Sequence, residues 1–346
     1  MRVVVTGATG NLGTSVIAQL TDVDQVDEIV GLARRAPSWR PPGVTWREVD
    51  IRSADLVPLF RRADAVIHLA WAFGPSHRPE ATWEVNVAGT EHVLAAVAEA
   101  GVPVLLVASS VGAYSPAVND DPIDESWPTH GWPAANYCRE KAYVERMLDA
   151  FEAQQPKVRV VRFRPSFLFK TSASREQMRI FGGLGALALS PVLGRRGTPV
   201  MPEITGLRFQ VMHTDDAAAA FATALLSDAA GAFNLAVDPV VDLALIGEIF
   251  EAKRTLSLPA TAVRWALVAG WLAHVVPVQP DLFDFLRQIP LLDASRARSE
   301  LGWSPRYTSV EALRELRRGL ADSPGFPTPP LQKAGVREYA MGTWRP

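Results

Sequence analysis

Three closely spaced glycines follow the first apolar run of the chain. The stretch VVVTGATGNLG, Val3–Gly13, places Gly7, Gly10 and Gly13 at the spacing G-x-x-G-x-x-G. Glycine loses more backbone entropy on folding than any other residue, so this clustering indicates a turn in which side chains have to be absent. The sequence therefore predicts a turn that something approaches closely.

A helix is predicted directly after this turn, because Leu12, Val16 and Leu20 recur at intervals of four residues. A strand, a glycine turn and a helix form the unit that binds a dinucleotide. The glycines allow the tight turn, the close approach of the pyrophosphate and the packing of helix on strand. The helix N-terminus offers N–H groups and partial positive charge to the phosphates.

Strands and helices alternate through the first half of the chain. The predicted strands are near-continuously apolar or β-branched, as in a parallel sheet buried on both faces. They are Arg2–Thr6, Glu28–Ala33, Thr45–Asp50, Ala65–Ala70, Val104–Ser109 and Arg159–Arg164, and a further short strand is predicted at Ala232–Ala236. Helical patterns lie between several of them. We expect an α/β fold with a doubly wound (Rossmann) parallel sheet and a smaller, mostly C-terminal substrate-binding region.

The pattern loosens after Pro165, which suggests a division of the chain. Residues 1–165 are expected to form the dinucleotide-binding domain, to which residues 209–236 return. Residues 166–208 and 237–322 are expected to form the substrate-binding region. Residues 323–346 contain a cluster of prolines and are expected to form an extended or partly disordered arm.

Composition excludes several classes of partner. The 346 residues carry a net charge of −2, which points to neither nucleic acid nor an anionic membrane surface. The single cysteine, Cys138, fits a reducing compartment, and no signal peptide is evident, so we expect a cytoplasmic protein. The apolar stretch 265–278 is too short to span a bilayer and predicts a buried helix or a pocket wall rather than a membrane-surface helix.

The end of the second predicted strand bears on the choice of cofactor. An acidic residue about 20 positions after the glycine turn would hold the adenosine ribose. Here Ala33 is followed by Arg34 and Arg35, and guanidinium groups pair well with a 2′-phosphate. We therefore expect NADP, with NAD as the alternative. Asp50, at the end of the third strand, is a candidate partner for the adenine amino group.

A series of motifs in the same order resembles the extended short-chain dehydrogenases/reductases, the NAD(P)-dependent epimerase/dehydratase family. The resemblance covers residues 1 to about 320. The motifs are TGATGNLG, HLA from His68, NVAGT from Asn86, SSVGAYS from Ser109, YCREK from Tyr137, RFRPS from Arg162, MHTDDAA from Met212 and LLDASRARSELGWSP from Leu291.

Tyr137 and Lys141 are four residues apart in a helical stretch, which places both on one face. A phenol of ordinary pKa is a poor base at neutral pH, and a neighbouring ammonium group favours its ionised form. Ser110 ends a strand at the edge of the sheet where such sites form. The resemblance implies that Ser110, Tyr137 and Lys141 are the catalytic triad, with Lys141 also holding the nicotinamide ribose. The family offset to Tyr114 favours Ser110 over Ser109.

Further cofactor contacts are expected around this core. The backbone of Leu69–Trp71 is expected to border the nicotinamide ribose, and Asn86 resembles the family asparagine that braces the active-site backbone. The remaining candidates are Thr9, Asn11, Leu12, Ile51, Ala70, Ala108, Pro165 and Ser166. We predict no metal site: His213, Asp215 and Asp216 are interpreted as a helix cap, and His68 as a packing residue.

Three departures from the family pattern bear on the reaction. Val111 and Gly112 stand where the family's sugar-nucleotide dehydratases carry an acidic pair. The apolar run Phe167–Phe169 follows the Arg-Pro strand, where sugar-nucleotide enzymes tend to place an asparagine. Phe209 stands where many have an arginine, with Arg208 one position away. Apolar walls favour an NADP-dependent oxidoreductase that acts on the carbonyl or alcohol of a small, partly hydrophobic substrate.

Two alternatives stay open. The first is a nucleotide-sugar epimerase with tightly bound NAD(P), whose diphosphate would be gripped by arginines such as Arg175, Arg179, Arg195 or Arg196. The second is a non-catalytic, cofactor-binding sensor, which would have no need of Tyr137. Members of the family often dimerise. By analogy, a homodimer of this chain would pair through the helices of Trp83–Ala100 and Tyr137–Phe151.

Overall fold

The computed structural model describes residues 1–73, 79–178, 192, 194–274, 276, 279–322 and 324–332. Within them, seven parallel strands form one sheet in the order β11-β6-β5-β4-β1-β2-β3. These strands are β1 (Arg2–Thr6), β2 (Glu28–Ala33), β3 (Val44–Glu48), β4 (Ala65–His68), β5 (Val104–Ala108), β6 (Arg159–Pro165) and β11 (Gly231–Leu235). The doubly wound Rossmann sheet predicted from the sequence is confirmed.

Short strands outside the main sheet pair two by two: β7 (Phe167–Phe169) with β10 (Val211–His213), β8 (Met201–Glu203) with β13 (Thr255–Ser257), and β9 (Arg208–Phe209) with β12 (Val241–Asp242). The helices are α1 (Asn11–Thr21), α2 (Val57–Phe60), α3 (Pro79–Trp83), α4 (Gly89–Ala100), α5 (Asn136–Gln154), α6 (Thr214–Leu225), α7 (Leu243–Ile249), α8 (Ala260–Leu272), α9 (Pro280–Leu286), α10 (Ser295–Leu301) and α11 (Ser309–Asp322).

The main sheet is buried on both faces. One face packs against α1 and α6, through side chains such as Ile17 and Phe221. The other packs against α4 and α5, through side chains such as Val97 and Leu148. Both layers remove apolar side chains from water, which is why the strands are apolar on both sides rather than alternating. The predicted boundaries of four main-sheet strands and of Ala232–Ala236 differ from the observed ones by one or two residues.

The glycine turn has the geometry that its sequence predicts. Gly7 lies in the left-handed region with φ +67°, and a Cβ there would approach the backbone nitrogen of Ala70 to 2.5 Å. A Cβ on Gly13 would come to 2.3 Å from the carbonyl oxygen of Gly7. Side chains are therefore excluded at both positions by the backbone of the turn and of the neighbouring strand end.

The segment predicted as one helix over Trp83–Ala100 is interrupted. Residues Glu84–Ala88 form a π-helical turn between α3 and α4. Such turns are frequent at functional sites, because they rotate side chains away from the regular helical faces. Here the turn carries Asn86.

The apolar stretch 265–278 is not buried, contrary to the prediction from composition. Residues 265–272 of this stretch belong to α8, which buries none of its residues. The side chains of Trp265 and Leu272 are 69% and 73% exposed. Apolar composition shows that a segment can be buried, but not that another element covers it. No helix among the described residues is long and apolar enough to cross a membrane.

The described part of the C-terminal arm packs against the Rossmann domain. Residues 324–332, which we call the docked arm, form a compact turn in which Thr328 and Leu331 are buried. The expectation of an extended or disordered segment is therefore wrong for these residues. Residues 333–346 lie outside the described part.

Candidate active site

A cavity of about 600 Å³ opens at the carboxyl ends of the central parallel strands, where α/β proteins bind their ligands. It is lined by most of the site residues predicted from the sequence: Gly7, Thr9, Gly10, Asn11, Leu12, Gly13, Arg34, Arg35, Asp50, Ile51, Leu69, Ala70, Trp71, Ala108, Ser110, Tyr137, Pro165 and Ser166. Two predicted residues, Asn86 and Lys141, lie behind this surface.

The residues of the cavity fit a dinucleotide. Helix α1 begins at the glycine turn, with no acidic residue in its first turn and no side-chain cap, so its N–H groups face the cavity without a competing carboxylate. The buried polar atoms of lining residues that have no hydrogen-bond partner among the described residues include Ser166 Oγ and Trp71 Nε1. Buried polar groups are normally paired, so both are available to a ligand.

The end of the cavity near the ends of β2 and β3 is rich in charge; we call it the adenosine end, because the sequence predicts the adenosine there. Arg34 and Arg35 follow β2, and the Asp50 carboxylate is held by Arg52 at 2.7 Å. Hydrogen bonds from Arg52 lower the pKa of Asp50. Burial lowers the pKa of Arg34, and two neighbouring arginines lower it further. The nearby Asp50 carboxylate opposes this shift, because it favours the charged guanidinium group. The guanidinium groups of Arg34 and Arg35 thus line this end of the cavity.

Two adjacent serines at the end of β5 point in different directions. Ser109 donates a hydrogen bond of 2.5 Å to the buried carboxylate of Glu145. Ser110 lines the cavity and accepts a hydrogen bond of 3.0 Å from the backbone N–H of Gly112. Both serines border the cavity, but the Ser109 hydroxyl is engaged by Glu145, whereas Ser110 is hydrogen-bonded with Tyr137.

Tyr137 lies under an aromatic cover. Its ring centroid is 4.6 Å from that of Phe73 and 6.0 Å from that of Trp71. A Cβ on Gly112 would come to 2.6 Å from the ring, so glycine at this position makes room for it. Burial raises the pKa of Tyr137 despite a hydrogen bond with Ser110 that lowers it. The depressed pKa expected from the sequence is therefore not a property of the cofactor-free protein.

Lys141 stands behind Tyr137 and Trp71. Its ammonium group donates to the carbonyl oxygen of Ala108 at 2.8 Å and lies 3.4 Å from the ring centroid of Trp71. Burial lowers the pKa of Lys141 to about 7, although the nearby carboxylates of Glu145 and Glu140 oppose this. Tyr137 and Lys141 both contact the Trp71 ring, and Lys141 is not part of the cavity lining.

The Asn86 side chain is bonded to the backbone and does not line the cavity. Its side chain accepts from the N–H of Ala72 at 2.6 Å and donates to the carbonyl oxygen of Ala72 at 3.0 Å. It also donates to Glu140 at 2.7 Å. These bonds tie the segment after β4 to α5, as the resemblance implies for a bracing residue.

A buried ion network beneath α5 was not predicted from the sequence. Glu145 accepts from Arg164 at 2.9 Å on each carboxylate oxygen and from Arg162 at 3.0 Å. Burial would raise the pKa of Glu145, but these bonds, with that from Ser109, lower it to about 2. The network joins the catalytic helix to β6 and to the end of β5. One acidic side chain on an otherwise polar helix gives no sequence signal of this role.

A buried lysine supports the glycine turn from behind. The Lys170 ammonium group donates to the backbone carbonyl oxygen of Asn11 and to the hydroxyls of Thr14 and Ser15, at 2.7 to 2.9 Å. Burial lowers its pKa to about 8, opposed by Asp215. It fixes the first turn of α1, which faces the cavity.

The other end of the cavity has apolar walls. Phe167, Phe169, Leu282, Phe285 and Leu286 line it, with Gln177 and Glu176 as polar neighbours. Among the described residues, the basic side chains that line the cavity are Arg34 and Arg35, at the adenosine end. Arg208 instead pairs with Asp120 at 2.6 Å. Of the arginines considered for a diphosphate, Arg179 lies outside the described residues, and Arg175, Arg195 and Arg196 are not part of the described lining.

The histidines singled out in the sequence have packing and capping contacts. His68 is buried between the hydroxyls of Thr6 and Thr90, and burial lowers its pKa to about 3. The His213 side chain caps α6 by accepting from the N–H of Asp215. Asp216 accepts from the backbone N–H groups of Arg306 and Tyr307.

Comparison with known proteins shows the family of the chain. Residues 3–236 match the model of the NAD dependent epimerase/dehydratase family. The chain is 27% identical to a UDP-glucose 4-epimerase of Azospirillum brasilense, covering 90% of this chain and 89% of the relative. It is 28% identical to dTDP-6-deoxy-L-talose 4-dehydrogenase (NAD(P)(+)) of Kitasatospora kifunensis, covering 93% and 96%.

A solved structure of UDP-glucose 4-epimerase from Thermus thermophilus, in complex with NAD, superposes with a TM-score of 0.70. It is 22% identical and covers 92% of this chain and 99% of that one. The match over residues 3–236 shows that the chain belongs to the NAD dependent epimerase/dehydratase family. It is an NAD(P)-dependent enzyme of the extended short-chain dehydrogenase type.

Proposed function

We propose that the protein reversibly oxidises a secondary alcohol of a nucleotide sugar, as an epimerase that keeps its NAD(P) bound. The observation that carries the redox step is the placement of Ser110 and Tyr137 on one cavity wall, backed by Lys141. The sugar-nucleotide substrate is inferred from the activities of the two relatives. The comparisons thus favour the epimerase alternative over the hydrophobic-substrate interpretation.

The bound nicotinamide would supply the hydride acceptor and donor. Tyr137 takes the proton of the substrate hydroxyl and returns it to the carbonyl oxygen. Ser110 holds that same oxygen by hydrogen bonding. Lys141, when protonated, favours the phenolate of Tyr137 by its charge. Phe73 and Trp71 cover Tyr137 and limit its access to water, which strengthens the electrostatic interactions within the site.

The proposed reaction does not include the loss of water from the sugar. The positions after Ser110 are Val111 and Gly112, which have no acid–base group, and both line the cavity. Gly112 is in contact range of the Tyr137 ring, so a larger acidic side chain there would displace the tyrosine.

The reaction is tested by incubating the purified protein with UDP-sugars and dTDP-sugars, with Tyr137→Phe as the inactive control. We expect interconversion of C4 epimers without net consumption of cofactor. Cofactor consumption in proportion to product, with no epimer formed, would exclude an epimerase.

The apolar walls of the cavity favour a second candidate function, the reduction of a hydrophobic carbonyl compound. Phe167, Phe169 and Phe285 suit a hydrophobic carbonyl compound better than a diphosphate. A panel of aliphatic and aromatic ketones with NADPH discriminates the two. Stoichiometric NADPH oxidation with a ketone, and no conversion of any nucleotide sugar, would establish the reductase instead.

We expect the protein to bind NADP(H) about tenfold to a hundredfold more tightly than NAD(H), because one charge-assisted contact contributes ~1.5–3 kcal/mol. The contact would come from Arg34 or Arg35. Calorimetric dissociation constants for the wild type and for Arg34→Ala/Arg35→Ala check this. Arg47→Ala, which removes an arginine from β3 outside the cavity lining, is the control. Equal wild-type affinities would show that NADP is not preferred.

A further inference from the structure

The docked arm, residues 324–332, is held on the segment that follows β2. The backbone N–H of Trp39 donates to the carbonyl oxygen of Pro327 at 3.1 Å, and the Ser38 hydroxyl donates to the same oxygen at 3.2 Å. The ring of Phe326 packs edge-on against Trp39, with centroids 5.0 Å apart. Segments near the two ends of the chain are thus in direct contact.

The docked arm also has an internal framework. The N–H of Phe326 donates to the carbonyl oxygen of Leu331, and the N–H of Leu331 donates to that of Thr328, both at 2.9 Å. Thr328 is fully buried and Leu331 is 4% exposed. Pro327, Pro329 and Pro330 have fixed φ angles, so little backbone freedom remains to be lost when a ligand binds. The turn therefore presents a preformed surface.

That surface belongs to the cofactor cavity. Pro329, Pro330 and Gln332 line the same cavity as Arg34 and Arg35. The anchor at Ser38 and Trp39 follows these two arginines by only a few residues, which places the docked arm at the adenosine end. It adds apolar rings and an amide group there, and residues 324–332 contain no acidic side chain that would repel a phosphate.

We propose that the docked arm is a strap that completes the adenosine subsite and slows release of the dinucleotide. The family match ends at residue 236, so the arm is a feature of this chain outside the matched region. The proposal requires only the dinucleotide site and holds for either candidate reaction. An enzyme that re-uses its cofactor in every turnover gains from such retention, because a released cofactor interrupts the cycle.

Two truncations test the strap. A chain that ends at Asp322 lacks the arm, whereas a chain that ends at Gln332 keeps the docked arm and loses only residues 333–346. We expect the shorter chain to bind NADPH and 2′,5′-ADP about tenfold more weakly, a change equal to about 1.4 kcal/mol, with faster release in stopped-flow displacement. The chain ending at Gln332 should match the full-length protein. Equal affinities and release rates for all three chains would overturn the proposal.

Point variants cover the case in which the shorter chain does not fold. Phe326→Ala and Trp39→Ala remove the anchor, and Trp265→Ala removes an exposed tryptophan elsewhere as the control. We expect each anchor variant to weaken binding of 2′,5′-ADP but not of nicotinamide mononucleotide. Weakening of both ligands alike would indicate general damage to the fold and contradict a strap at the adenosine end. Because binding is measured without substrate, failure here leaves the proposed reaction untouched.

Discussion

Replacing Tyr137 with phenylalanine is expected to lower kcat by about 10²–10⁴-fold, the usual contribution of a general acid–base group. The substitution removes one hydroxyl and keeps the ring against Phe73 and Trp71. Cofactor affinity should change little, since we expect the glycine turn and α1 to hold the pyrophosphate. Tyr143→Phe removes the hydroxyl of an exposed tyrosine on the same helix and should keep full activity.

Lys141→Met should lower turnover as well, because it removes the charge that favours the phenolate of Tyr137. Near-normal turnover of Tyr137→Phe with a verified substrate would remove the tyrosine from the mechanism.

The titration of Tyr137 should depend on the redox state of the cofactor. Burial raises its pKa in the free protein, and the pKa of Lys141 is lowered to about 7, so Lys141 carries little charge well above neutral pH. The positive charge of the oxidised nicotinamide should lower the pKa of Tyr137, whereas the neutral reduced ring should not. The ultraviolet difference titration of wild type against Tyr137→Phe, with each cofactor, isolates this residue. Identical titrations with both cofactors would contradict the expected coupling.

Glu145→Gln is expected to destabilise the fold by about 3–5 kcal/mol, because it leaves two buried guanidinium groups without their shared charge partner. Arg162 and Arg164 are nearly inaccessible, and so is Glu145. Glu152→Gln is the matched control: it removes a partially exposed partner of Arg162 and should cost less than about 1 kcal/mol. Urea unfolding monitored by circular dichroism gives both free energies. Equal, small losses would show that the buried network is not stabilising.

The difference in unfolding free energy between wild type and Glu145→Gln should decrease at acidic pH. The pKa of Glu145 is lowered from 4.5 to about 2 in the folded protein. Its contribution to stability is therefore fully present above pH 4.5 and is lost as the pH falls through about 2. The stability gap between wild type and Glu145→Gln should accordingly narrow over that acidic range. A gap that stays constant would mean that Glu145 is not ionised through this network.

Sequence reasoning succeeded where a local pattern has one physical meaning. Strands β1 and β2 were predicted to the residue. For β1 the reason is plain, because an apolar β-branched run before a glycine turn has few other uses. The spacing of Tyr137 and Lys141 likewise translates directly into a shared helix face. The assignment of these residues as catalytic, and the division into domains, stay predictions.

What sequence reasoning missed depends on contacts between distant segments. The docked arm is ordered by Trp39 and Ser38, and nothing near Pro327 indicates that partner. The network of Glu145 joins a helix to β6, and single charged residues do not reveal such pairing. Helix α8 shows the converse error, because its apolar composition suggested a burial that no described neighbour provides.

A substrate deuterated at the carbon that bears the reacting hydroxyl tests the redox mechanism most directly. If Tyr137 serves a hydride transfer in a closed site, the label should appear on the nicotinamide or return to the same substrate carbon, and Tyr137→Phe should slow its transfer. Exchange of the label with water, in the absence of transfer to the cofactor, would contradict the mechanism, because it would mean that the carbon loses a proton and not a hydride.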